Sequence, residues 1–156
     1  MPSIKPTVLF SNQLVKIVTP IVPLNCQLDG GHLLVEPHRV FDNRMHASAE
    51  EAMQLMAASM LAARALTQVL EVEEINYQEM GNWKLGESNT KKMQIHIFGR
   101  STDQRYQIRG ESIRFYPRNH DIYTQVYQPL STGVILQLWQ AIERQLQHDP
   151  FIQLMT

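Results

Sequence analysis

Between residues 92 and 97 polar and apolar positions alternate strictly. Lys92, Gln94 and His96 share one parity, and Met93, Ile95 and Ile97 share the other. Period two marks a strand with one buried face, so the spacing predicts a strand that sets a cation, an amide and an imidazole in line. Shorter β-branched or apolar runs predict strands over 7–10, 14–18, 32–35 and 73–78, and a further short one over 111–116. Asp29-Gly30-Gly31 is a turn signal, and Pro37 and Pro117 are expected to end the strands before them. Gly81-Asn82-Trp83-Lys84-Leu85-Gly86 reads as a loop.

Two stretches follow the helical period instead. Ser48-Ala49-Glu50-Glu51 is a capping-box pattern, in which the serine hydroxyl accepts from a first-turn amide and the glutamate reaches back. It opens a helix to about residue 70, with Met53, Met56, Met60, Ala63 and Val69 spaced for one apolar face and expected to pack in the core. A last helix spans 131–148: Ser131 caps it, Val134, Leu138, Ile142 and Leu146 step along one face, and Asp149-Pro150 ends it. That helix could pack on its own sheet or extend an interface. Several strands around one long helix define an α+β domain, with an antiparallel sheet expected.

Composition narrows the function classes. A chain of 156 residues, 44 % hydrophobic and without repeats or long linkers, is read as one domain over 1–156. Its formal net charge of −1 gives no bulk attraction to nucleic acid or an anionic membrane, so neither is expected as a partner. No apolar run has the length of a membrane span, and Pro6, Ser11, Asn12 and Gln13 break up the first twenty residues where a signal peptide needs an apolar block. Cys26 stands alone, which excludes an intrachain disulfide and a cysteine zinc cluster and fits a reducing, cytoplasmic setting.

The candidate chemistry is sparse. None of the histidines pairs at i, i+4 on a helix or at alternate positions of one strand, so no metal site is expected. Neither a Gly-x-Ser-x-Gly elbow, a Walker loop nor a dinucleotide glycine fingerprint is present, and no cofactor is expected. A histidine in an apolar strand, such as His96, is by default a hydrogen-bonded core residue.

Three anchors carry a resemblance to a known family. They are Gly31-His32-Leu33-Leu34-Val35-Glu36-Pro37, the capped helix over 48–70, and Lys92-Met93-Gln94-Ile95-His96-Ile97-Phe98-Gly99-Arg100. In order and spacing they resemble the histidine-triad (HIT) family of nucleotide-binding hydrolases and transferases. Asn76-Tyr77-Gln78-Glu79-Met80-Gly81-Asn82-Trp83 and Ile113-Arg114-Phe115-Tyr116-Pro117-Arg118 look most like a bacterial branch. The likeness covers about residues 7–118.

The resemblance implies a HIT-like fold and, as is common in that family, a homodimer. Gly99-Arg100 sets the register, so that Lys92, Gln94 and His96 stand where the family has its three histidines. The second is the family's nucleophile, which becomes transiently nucleotidylated. An amide nitrogen cannot do this, because its lone pair is delocalised into the carbonyl. His32 matches an additional histidine near the triad, Asn82 falls in a phosphate-contacting loop, and Asn25 falls near the ribose or base contacts. The expectation is a degenerate triad that binds a purine nucleotide such as AMP without a covalent intermediate, with Lys92 and Gln94 as donors to phosphate. The alternatives are an active nucleotidyl or phosphoramidate hydrolase in which His96 positions water, and a non-enzymatic dimeric interaction protein.

Overall fold

The computed structural model describes residues 5–80 and 92–150. Its elements are β1 (Val8–Ser11), β2 (Val15–Val18), β3 (His32–Pro37), α1 (Ala49–Leu70), β4 (Glu74–Met80), β5 (Gln94–Arg100), α2 (Ile122–Gln125) and α3 (Thr132–His148). The strands form one five-stranded sheet in the order β1-β2-β3-β5-β4, with every neighbouring pair antiparallel. β5 is therefore an interior strand, flanked by β3 and the edge strand β4. Its His96 lies opposite Leu34 on one side and Gln78 on the other.

Strand alternation divides the sheet into two faces. Leu33, Val35, Ile95 and Ile97 point to α1 and join the main core. Burying one leucine of this kind contributes about 1.5–3 kcal/mol, so the apolar parity pins the register of β3 against β5. The opposite parity carries His32, Glu36, Gln94 and His96. The capping box of α1 forms as predicted, with Ser48 Oγ accepting from Glu51 N–H and the Glu51 carboxylate accepting from Ser48 N–H. Arg39 also donates to Glu51 and holds its carboxyl down to about 2.

The buried stripe of α1 meets the expected one at Ala63, which is buried, and Val69, which packs against the core, but departs from it at Met53 and Met56. Leu55, Ala58, Leu61, Ala62, Ala65 and Leu66 face the sheet, while Met53 and Met56 are 66 % and 59 % exposed. The alanines let the helix axis approach the sheet closely, and that approach turns the two methionines outward. α3 matches its prediction: Leu138 and Ile142 are buried against α1 and β1, Val134 and Leu146 pack at the margin, and Ser131 Oγ caps. The C-terminal helix therefore packs on its own domain.

The stretch over 111–116 is not a strand. The Gln107 side-chain amide substitutes for a pairing partner, accepting from Arg114 N–H and donating to Arg114 C=O. Pro37 is the last residue of β3, opposite Val15, and ends that strand as expected. At the far end of the sheet, Gly30 and Gly99 pass backbone to backbone: a Cβ on Gly99 would sit 2.1 Å from the Gly30 carbonyl oxygen. Gly30 also holds a φ of +123°, which only glycine adopts without strain. Among the described residues no helix is long and apolar enough to cross a membrane.

Candidate functional site

His32 and His96 meet across β3 and β5. His32 Nε2 is 3.0 Å from His96 Nδ1, and the rings stack with centroids 5.1 Å apart. Phe98 stacks on His32 at 4.4 Å. A third contact fixes the protons. The Leu24 backbone N–H donates to His32 Nδ1 at 3.0 Å, so that nitrogen is an acceptor. The proton of neutral His32 is then on Nε2, and Nε2–H donates to His96 Nδ1. Neutral His96 in turn carries its proton on Nε2. Among the described residues that Nε2–H has no partner, although His96 is only 1 % exposed.

Burial keeps both rings neutral. Desolvation pushes His96 down to about 4, against a smaller opposite pull from Glu36. His32 is lowered well below its ordinary range, chiefly by desolvation and then by His96. At neutral pH the pair is a one-way chain of donors ending at His96 Nε2–H.

Beside the pair lies a residue the sequence reading did not single out. Glu36 of β3 accepts from Gln94 Nε2 at 2.5 Å and forms ion pairs with Lys16 at 3.0 Å and Lys92 at 3.3 Å. Burial alone would raise its carboxyl, but the Gln94 amide, Lys92 and Lys16 together outweigh that and hold it below the ordinary value. Lys92 and Gln94 are thus engaged by a carboxylate, where the sequence suggested donors waiting for a phosphate. An ionised carboxylate only accepts, so it must face the Gln94 nitrogen, leaving the carbonyl oxygen and one N–H for other partners. Two signals pointed to Glu36: it shares strand parity with His32, and the β2–β3 pairing sets Lys16 directly opposite.

The remaining candidates part company. Asn25 is 1 % exposed and spends its amide N–H groups on the carbonyls of Gly31 and Gly99, at 3.2 and 2.9 Å, clamping the glycine crossing. Its Oδ1 has no partner among the described residues. Asn82 lies outside the described residues. Arg100 ties β5 to the following loop by donating to Asn76 Oδ1, Gln104 Oε1 and the carbonyls of Ile108 and Glu111. Asp29, fully buried, accepts from the backbone N–H groups of Arg105, Tyr106 and Gln107. These contacts build the scaffold that closes over the sheet end. Among the described residues no group of three or more His, Cys, Asp or Glu is arranged to hold a metal ion.

A five-stranded antiparallel sheet with one long helix on one face and histidines of two interior strands on the other is the histidine-triad fold. Solved structures bear this out. A hypothetical histidine triad nucleotide-binding protein from Sulfolobus tokodaii strain7 superposes with a TM-score of 0.63 at 11 % identity, covering 93 % of this chain and 89 % of its own. A histidine triad protein from Sinorhizobium meliloti 1021 gives a TM-score of 0.62 at 13 % identity, covering 89 % and 88 %. A zinc-bound histidine triad family protein from Mycobacterium smegmatis gives 0.61 at 14 % identity, covering 93 % and 89 %. No family model and no curated protein matches the sequence. At such identities the likeness is one of fold.

Proposed function

We propose that the polar face of β3 and β5 binds a purine nucleotide or nucleotide-like phosphate, AMP in kind, without forming a covalent histidine intermediate. One observation carries this reading: His96 Nε2–H is a buried donor with no partner among the described residues. An orphaned buried donor costs about 1–3 kcal/mol, and an acceptor oxygen on a ligand removes that cost. Phosphate oxygens are such acceptors, and Lys16 and Lys92 bring positive charge to the same face. Gln94 stands beside His96 and cannot replace a nucleophilic imidazole.

The same wiring disfavours hydrolysis with His96 as base. A base needs a free lone pair on Nε2, which moves the proton to Nδ1. His32 would then have to accept on Nε2 and carry its proton on Nδ1, directly against the Leu24 N–H. His96 is better suited to hold an oxygen than to activate water.

Calorimetric titration with AMP tests the reading. Binding is expected, with a matching rise in apparent stability, because a ligand of the native state alone must stabilise it. Lys92→Ala is expected to weaken binding, and unchanged affinity would remove Lys92 from the site. Absence of heat with both AMP and GMP overturns the nucleotide reading.

A second reading concerns assembly. Met53 and Met56 are exposed on α1, and Tyr77, 53 % exposed, lies on the edge strand β4. Beside it a groove is lined by Met60, Ala63, Thr67 and Ile75. Apolar side chains next to an open strand edge favour a homodimer through this surface. The buried free thiol of Cys26 suits a reducing, cytoplasmic setting.

A further inference from the structure

We propose that Glu36 is a specificity-determining residue: building on the nucleotide reading of this same face, it sets the charge of the group accepted there, favouring a singly charged phosphoryl group over a doubly charged terminal phosphate. Glu36 is not at the rim. Its side chain is 10 % exposed, while those of Lys16 and Lys92 are 26 % and 27 % exposed. One carboxylate oxygen, Oε2, lies 3.0 Å from Lys16 Nζ and 3.3 Å from Lys92 Nζ; the other, Oε1, accepts from Gln94. Among the described residues, both cations on this part of the face, Lys16 and Lys92, therefore share their position with one fixed anion.

The charge balance follows. Among the described residues, two ammonium groups and one carboxylate leave a single net positive charge, since His32 and His96 are neutral. An anion reaching Lys92 also comes close to Glu36. A phosphate diester brings one negative charge, which the face neutralises. A terminal phosphate monoester brings about −1.5 to −2 at neutral pH, and its surplus charge meets the Glu36 carboxylate with few waters between. Glu36 also settles which end of Gln94 remains available. With the nitrogen drawn to Oε1, the amide carbonyl is left for the ligand, and it repels a fully ionised oxygen more than a protonated or esterified one.

The test is calorimetric titration of the native chain and of Glu36→Gln with two probes, AMP and the 5′-phosphate methyl ester of adenosine. The native chain is expected to bind the ester about tenfold more tightly than AMP, and Glu36→Gln to erase or invert that preference by gaining AMP affinity. Equal binding of both probes by the native chain, or an unchanged ratio in the variant, overturns the role of Glu36 while leaving the nucleotide reading intact. Binding of AMP by Glu36→Gln, with neither probe bound by the native chain, would overturn both the nucleotide reading and the preference proposed for the native site. If neither protein binds either probe, both fall. Should Glu36→Gln fail to fold, the native preference decides by itself, and its absence refutes the proposal.

Discussion

His32 Nε2 donates to His96 Nδ1 across 3.0 Å, and the direction of that bond is dictated from outside the pair by the Leu24 amide. A backbone N–H cannot reverse its role. One main-chain contact therefore decides which nitrogen of His96, a residue of the interior strand β5, carries the proton.

Replacing the first ring tests the chain of donors. His32→Phe keeps a flat ring against Phe98 but strands the Leu24 N–H and His96 Nδ1 without partners. The expected loss is about 3 kcal/mol, read by urea denaturation. Nitrogen NMR of the histidine rings should find His96 protonated at Nε2 in the native chain and a mixture of tautomers in the variant. A native His96 protonated at Nδ1 would refute the wiring.

The two histidines also predict acid sensitivity. His96 titrates near 4 folded and near 6.5 unfolded, so the unfolded chain binds the extra proton first as pH falls. Stability is then complete above about pH 6.5 and declines as pH drops through that window, by on the order of 3 kcal/mol from His96 at pH 4 and below. The lowered carboxyls of Glu36 and Glu51 add a loss of the same sign, beginning below about 4.5. Thermal melts should be level from pH 7.5 to about 6.5 and fall steadily from there to pH 5, and His96→Asn should flatten that slope.

Gly99→Ala should damage the fold without touching the polar face. The new methyl would lie 2.1 Å from the Gly30 carbonyl oxygen, a backbone atom that cannot rotate away. A loss of about 3 kcal/mol or failure to fold is expected. A variant within 0.5 kcal/mol of the native chain, roughly the scatter of surface substitutions, would mean that the crossing is looser than described.

Gln94→His examines the register directly. Glu36, now bonded to the Gln94 amide, is placed to take a ring N–H and orient an imidazole. Transient covalent attachment of a nucleotidyl group from an adenosine phosphoramidate, seen by intact mass, is the expected gain. The native chain should show none.

Tyr77→Glu addresses assembly. A carboxylate on the edge strand, beside the exposed α1 surface, should shift a dimer to monomer in sedimentation at micromolar concentration. A native chain that sediments only as monomer would remove the dimer reading altogether.

What was readable in the sequence was local. The capping box of α1 needed only Ser48 and Glu51, three residues apart, and its hydrogen bonds formed as expected. The alternation over 92–97 and the stepped face of α3 likewise follow from the period of a single element. The α1 stripe was misjudged at Met53 and Met56 because periodicity allows several adjacent stripes, and only the sheet decides which is covered. Alanine, a weak hydrophobic signal, won that contact because it lets the backbones come close. The strand expected over 111–116 failed because the Gln107 amide supplied the pairing that a strand would have needed.

The sequence by itself determined the two faces of β5 and the amide of Gln94 between Lys92 and His96. The tertiary structure decided what that face is electrically. Gln94 meets Glu36 across 58 residues of chain, and His32 meets His96 across 64. Coulomb forces and hydrogen bonds act through space within a few ångströms, so no local pattern encodes them. Only the pairing of β2 with β3, and of β3 with β5, brings a carboxylate between two lysines and aligns a backbone amide, two imidazoles and one proton without a partner among the described residues.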